Sequence, residues 1–349
     1  MLYLSGSVQA RYALEKYPEE IRLAHEHGYL HIHDLSFGLA GYCAGWSLRD
    51  LLLEGFNLEG RCSSGPAKHF DSALGQMVNF LGTLQNEWAG AQAFNNMDTY
   101  LAPFIRKDKL NYRQVKQAIQ KFIFNLNTTS RWGGQSPFTN LTFDLIPPEH
   151  IAKEGVILDG QIHDSCYGEY EKEMEMINKA FLETMLEGDF HGRIFSFPIP
   201  TYNVTKDFPW DSEVGELLLK LTAKYGVPYF QNFINSDLRP EDVRSMCCRL
   251  QMDLRELRKR TGGLFGAGDL TGSIGVVTIN LPKLGYLAQG EEDFLDLISE
   301  YATLAKESLE FKRKWVSDNL DKRMFPFSKR YLKKWSKGTF FYDRNSGRT

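Results

Sequence analysis

The chain has 349 residues, 42% of them hydrophobic and 24% charged, with a net charge of −3. That length can bury a large core as one big domain or two, and the near balance of charge gives no basic footprint for nucleic acid. No apolar run approaches a membrane span, the N-terminus is not a signal peptide, and five cysteines without framework spacing suit reduced thiols in a cytoplasm.

A first helix is expected over 8–28, where Val8, Tyr12, Leu14, Ile21 and Ala24 recur at helical spacing among charges. Tyr29 to Asp34 alternates like a short strand with His31 and His33 on one face. With no third ligand evident nearby, these histidines read as structural hydrogen-bonding groups. A helix over 47–56 ends at Gly55, and the strongest helix runs from Ala67 to Trp88. Its apolar stripe is Phe70, Leu74, Met77, Val78, Leu81 and Leu84, with Pro66 placed to start it. Ala89 to Leu101, rich in Ala, Gln and Asn, is expected to continue as a second helix or a turn. An amphipathic helix over 111–126 leads into Asn127 to Asn140, where glycine, amide and aromatic residues mix. Such a segment suits close backbone approach to a polar ligand, and equally suits a built turn.

Beyond it, 141–145 reads as a strand, 168–187 as an acidic amphipathic helix, 195–202 as a strand ending in prolines, and 228–233 as an extended run after another helix. Strands separated by helices give an α/β architecture with parallel strands. A loop region over 236–273 precedes a β run from Ile274 to Leu281 and a long helix over 292–317. No repeat or low-complexity tract interrupts the chain.

The cysteines carry the most specific signal. Cys247 and Cys248 are adjacent in Arg-Ser-Met-Cys-Cys-Arg-Leu, and Cys43 lies far upstream in Gly-Tyr-Cys-Ala-Gly-Trp. Neighbouring cysteines are poorly placed to bridge each other, and no Cys-x-x-Cys supports a structural zinc site. A thiol at 247 or 248 can still meet Cys43 in space as a redox pair. The plain alternative is that each is a small buried hydrophobe, the role expected of Cys62 and Cys166.

Three ordered stretches resemble the anaerobic (class III) ribonucleoside-triphosphate reductases, a glycyl-radical family: His31 to Cys43, Pro66 to Phe94, and Met246 to Pro282. Residues 133–140 and 197–203 fit as well, so the resemblance covers roughly 5–335. It implies a ten-stranded α/β barrel whose halves are joined by a central finger loop, here at about 236–273 and incomplete at its C-terminal end. The implied activity is anaerobic reduction of ribonucleoside triphosphates to 2′-deoxyribonucleoside triphosphates by thiyl-radical chemistry. By resemblance Cys248 or Cys247 bears the thiyl and Cys43 donates reducing equivalents. A thiol suits this task because its S–H bond is weak enough to make a radical that takes hydrogen from a sugar carbon reversibly.

Ser130, Gly133, Gly134, Gln135 and Asn140, with Ser273 just before the β run, are the candidate contacts for the substrate triphosphate. The resemblance also implies a dimer with a dNTP or ATP effector site, for which Lys68 is the candidate phosphate ligand, unless it is simply a solvated cation. The chain is expected to hold no cofactor or metal itself. A radical-SAM activating enzyme would generate the family's glycyl radical, and formate or a thioredoxin-like protein would be the reductant.

Residues 336–349 diverge from the family pattern, and no ATP-cone, four-cysteine zinc site or glycyl-radical loop is recognisable. The resemblance therefore implies a chain that is inactive alone, or one completed by a separate C-terminal polypeptide. The other readings are a dNTP-binding remnant and a glycyl-radical enzyme of the formate-lyase type.

Overall fold

A computed structural model of the chain describes residues 2–58, 62–130, 134–236, 243–245, 251–253, 271–320, 322, 324–328 and 331. Two helices, α1 (Leu2–Lys16) and α2 (Glu19–Glu26), replace the single helix expected over 8–28. The break is Pro18, which caps α2 in an extended conformation (φ −49°, ψ 146°) and disfavours helical backbone at Tyr17 before it. β1 (Leu30–Ile32), a 3-10 turn over Leu35–Phe37 and β2 (Cys43–Trp46) follow. α3 (Leu48–Glu54) is capped by Ser47, whose Oγ accepts the Asp50 N–H at 3.1 Å.

α4 (Phe70–Leu84) starts at the first residue of its apolar stripe, three residues after the expected boundary at Ala67. Asp108, arriving from the following layer, accepts the Phe70 N–H at 2.8 Å and fixes that start. The segment expected to be a second helix or turn instead holds a strand, β3 (Gln92–Phe94), before α5 (Met97–Lys107) begins after Asn96 at φ 56°. All three residues of β3 are buried, and a central strand needs no polar–apolar alternation, so its pattern gave no strand signal. α6 (Tyr112–Leu126) opens with a capping box in which Asn111 and Gln114 satisfy each other's backbone N–H groups.

β4 (Thr139–Phe143), the short α7 (Glu149–Ala152) and an unanticipated hairpin of β5 (Gly155–Leu158) and β6 (Gln161–Cys166) come next. They lead to α8 (Glu171–Glu187), β7 (Ile199–Val204), α9 (Glu213–Tyr225) and β8 (Tyr229–Asn232). The expected loop over 236–273 contains strand segments: β9 (Val243–Ser245), antiparallel to β10 (Gln251–Asp253), and then β11 (Thr271–Ser273). Cys247 and Cys248 fall in sequence between β9 and β10 and lie outside the described residues, as does Gly133. The β run expected from Ile274 to Leu281 contracts to β12 (Val277–Ile279), followed by α10 (Leu281–Leu287) and α11 (Glu291–Leu320).

Among the described residues the main sheet has six strands in the order β11-β2-β3-β4-β7-β8. The five from β2 to β8 are parallel, as the alternation of strands and helices implied, and β11 pairs antiparallel at the edge. Register and two-residue alternation put Trp46, Phe94, Leu141, Phe143 and Tyr202 on one face, inside the main hydrophobic core with the helices. Phe143 packs on Phe181 with ring centroids 4.7 Å apart and on Tyr202 at 5.2 Å. A second core joins α1, α2 and α11, with Tyr17 against Phe311 at 4.9 Å. β1 pairs with β12 beside it.

Candidate active site at the head of the sheet

Parallel strands begin at the same end of a sheet, so the heads of β2, β3, β4 and β7 gather together. There, on the face opposite the main core, Cys43 is 1% exposed and packs with Ala91, Tyr42, Phe138 and Ile199. Its sulfur accepts the Ala91 N–H at 3.3 Å. Ser273 is its direct partner on β11, and the Ser273 Oγ accepts the Cys43 N–H at 3.3 Å. The backbone is pulled in closely around the thiol. A Cβ on Gly90 would stand 2.6 Å from the sulfur and 2.9 Å from the Tyr42 carbonyl oxygen, and one on Gly272 would stand 2.5 Å from the Cys43 carbonyl oxygen.

Asn140 lies two strands away on the same face and is fully buried. Its Nδ2 donates to the Ile199 carbonyl and to Thr201 Oγ1, each at 3.0 Å, while its Oδ1 has no partner among the described residues. A buried amide oxygen in that condition is a ready acceptor for a hydroxyl or amide of a ligand. Farther along the strands Thr142 Oγ1 donates to Asn95 Oδ1 at 2.9 Å. The site thus offers a thiol, a serine hydroxyl and an amide on a rigid sheet.

The structure brings Cys43 and Ser273 onto adjacent strands and puts Asn140 two strands from Cys43 on the same face. Ser130, Gly134 and Gln135 are exposed in the connection from α6 to β4, which enters at this same end of the sheet. Ser130 Oγ accepts from Gln85 Nε2 at 3.3 Å, and Gly134 takes φ 74°. Lys68 is exposed and precedes α4 rather than opening it, and its carbonyl accepts from Lys107 Nζ at 2.5 Å. Cys62 is exposed, Cys166 is partly buried, and no disulfide joins the described cysteines. Among the described residues, no group of three His, Cys, Asp or Glu side chains is arranged to hold a metal ion. No described helix is long and apolar enough to cross a membrane.

The sequence reasoning missed a second polar centre at the opposite end of the same strands. Asp144, just past β4, accepts from Asn96 Nδ2, Thr99 Oγ1 and Asn203 Nδ2, all at 2.8 Å. Asp98, at the start of α5, accepts from Asn178 Nδ2 at 2.8 Å and from the N–H groups of Thr99, Asp144 and Leu145. Burial raises both carboxyl pKa values, that of Asp144 to about 7, with the Asp98 charge adding to the rise. The density of Asn, Asp and Thr over 95–99 and 140–144 was the available signal, but its meaning depends on strands that only the fold brings together.

A profile of the family described as "Anaerobic ribonucleoside-triphosphate reductase" matches residues 1–343. The enzyme of that name from Enterobacteria phage T4 is 25% identical over 345 residues, covering 88% of this chain and 52% of the relative. The Escherichia coli enzyme of that name is 23% identical, covering 88% of this chain and 44% of the relative. A crystal structure of the anaerobic ribonucleotide reductase from Thermotoga maritima with dATP in its specificity site superposes with a TM-score of 0.68 at 19% identity, covering 93% of this chain and 55% of that one. The same enzyme in complex with dATP and CTP gives 0.66 at 18% identity, covering 94% and 54%. The structural likeness carries the fold, and the chain spans about half the length of the curated relatives it matches. With the family profile matching nearly its whole length, the chain belongs to the anaerobic ribonucleoside-triphosphate reductase family.

Proposed function

We propose that this chain forms the substrate-side wall of an enzyme that reduces ribonucleoside triphosphates to 2′-deoxyribonucleoside triphosphates, with Cys43 as the reducing thiol. The observation that carries this reading is the setting of Cys43: a buried thiol at the head of a parallel strand, flanked by Ser273, on the face of the sheet opposite the main core. In the proposed reaction a thiyl at Cys247 or Cys248 takes the ribose 3′-hydrogen, the 2′-hydroxyl leaves as water, and Cys43 supplies reducing equivalents. Asn140 and the 130–135 connection face the nucleotide, while Lys68 serves a dNTP or ATP effector. The six-stranded sheet is read as part of the ten-stranded barrel, with the finger loop in 236–273. A radical-SAM activating enzyme and formate or a thioredoxin-like reductant complete the system, and the helices after β2 provide the homodimer contact.

The Thermotoga maritima enzyme forms a complex with dATP and CTP, which makes these the first nucleotides to try. The test is anaerobic CTP reduction after co-expression with the remaining half of a relative and treatment with the activating enzyme. Turnover that disappears in Cys43→Ser supports the reading. Association without turnover, with dATP still bound, would assign the chain a nucleotide-binding role alone.

A further inference from the structure

Glu87 closes the 3-10 turn Gln85–Glu87 that follows α4, and it is buried, only 7% exposed. A buried carboxylate demands strong donors, and this one finds them 240 residues farther along the chain. Its Oε1 accepts the Phe327 N–H at 2.7 Å and its Oε2 accepts the Ser328 N–H at 2.6 Å. The next residue ties the same point again: the indole N–H of Trp88 donates to Ser328 Oγ at 2.8 Å. Trp88 and Ser328 are both buried, so water does not compete for these bonds. Tyr331 adds a second anchor. Its hydroxyl accepts the Asn57 N–H at 3.1 Å, and its ring lies 4.8 Å from that of Phe80.

The end held in this way leads straight to the thiol. Trp88 lies beside Gly41, so close that a Cβ on Gly41 would stand 2.6 Å from the indole ring. On the other side a Cβ on Gly272, next to Ser273, would stand 3.5 Å from the same ring. From Trp88 the chain runs along Gly41 to Cys43 bond by bond. The Ala89 N–H donates to the Gly41 carbonyl at 2.8 Å and the Gly90 N–H to the Tyr42 carbonyl at 2.6 Å. The Ala91 N–H then reaches the Cys43 sulfur, against which Gly90 is also pressed.

We infer that Glu87 and Ser328 are positioning residues for Cys43, latching Trp88 so that the Gly90–Ala91 backbone stays closed over the sulfur. Neither residue touches the thiol. They act through the run from Trp88 to Ala91, whose leading end they fix and whose trailing end meets the sulfur. Tyr42, Phe138 and Ile199 supply the apolar part of the enclosure, and the latch supplies the backbone part. The bearing of this enclosure on reduction rests on the proposed function; the enclosure itself does not.

The experiment needs no turnover. In the full chain with Cys62, Cys166, Cys247 and Cys248 replaced by Ser, alkylation of Cys43 by iodoacetamide is followed at increasing urea. Opening of the whole fold exposes much surface and speeds up steeply with urea, whereas opening of one latch exposes little and does not. Ser328→Ala strands the Trp88 N–H and should raise the rate without urea about tenfold, with little dependence on urea. Glu87→Gln turns an amide N–H toward a backbone donor and should act in the same direction. Asp98→Ala weakens the same sheet from its far end and should speed labelling only by the steep, urea-dependent route. An unchanged rate without urea in a folded Ser328→Ala overturns the inference, and so does a rise in that variant that follows urea as unfolding does. A urea-independent rise in Asp98→Ala also overturns it, because the thiol would then open whenever the fold is weakened. Should Glu87→Gln fail to fold, Ser328→Ala, which removes a single oxygen, still decides the matter. The expected labelling in a chain that neither binds nor reduces nucleotides would sink the proposed function and leave this inference standing.

Discussion

The strands of the main sheet begin at a thiol and end at a pair of carboxylates, and the two ends are built on opposite principles. At the carboxylate end every oxygen of Asp98 and Asp144 is met by backbone or amide donors, which lock β4, β7 and the start of α5 together. At the thiol end the hydrogen bonds to the Cys43 N–H and sulfur are longer, at 3.3 Å, glycines bring the backbone close, and Asn140 Oδ1 has no partner among the described residues. Carboxylates fully met by donors make a clasp, even though Asn178 Oδ1 next to them has no partner among the described residues, whereas an open acceptor on the face that carries the thiol suits a ligand. The same sheet thus carries a clasped carboxylate pair at one end and the candidate site at the other.

That contrast can be broken most forcefully with Asp98→Ala. Removing the carboxylate strands the donors of Asn178, Asp144 and Leu145, and the chain should lose about 3 kcal/mol or more in denaturant unfolding. A loss under about 1 kcal/mol would show that the network is not a clasp. Gly90→Ala comes next, because the new Cβ meets both the Cys43 sulfur and the Tyr42 backbone. Overpacking of this kind should cost about 1–3 kcal/mol by the same measurement, and wild-type stability would mean that the thiol end is looser than its geometry implies.

A milder probe is pH. Asp144 has a folded pKa of about 7 against an ordinary 3.8, so the folded state holds the extra proton between those values. Its contribution is fully present below about pH 4 and is lost as pH rises through about 7. The unfolding midpoint should therefore fall from pH 5 to pH 8 in the native chain, and that slope should flatten in Asp144→Asn; a slope that persists would place the titrating group elsewhere. Ser273→Ala should have the smallest effect, at most about 1 kcal/mol, since it removes a single long hydrogen bond at the Cys43 N–H. A larger loss would make β11 a structural strap rather than one wall of a site.

Much of the fold was legible because amphipathic helices write themselves plainly: α3, α6, α8 and α11 lie close to where spacing and caps put them. β3 was not legible, since a strand buried on both faces shows no alternation, and the β5–β6 hairpin hid behind polar residues on its outer strand. Cys43, Asn140 and Ser273 could be singled out from motif and composition. Glu87 and Ser328 could not, because 241 residues separate them and only tertiary packing brings them together. Asp98 and Asp144 stayed hidden for a related reason, as short polar residues in sequence read first as caps and turns.

The pairing of β11 with β2 also bears on the order of assembly. Cys43 is made early, yet the strand that lies against it arrives 230 residues later. Contacts over such separations are slow to close. During synthesis the β2 edge must wait, unpaired on that side, while the helices and parallel strands after it settle. The chain would therefore acquire its carboxylate clasp, and the apolar groups around the Cys43 side chain, well before the edge of β2 is covered.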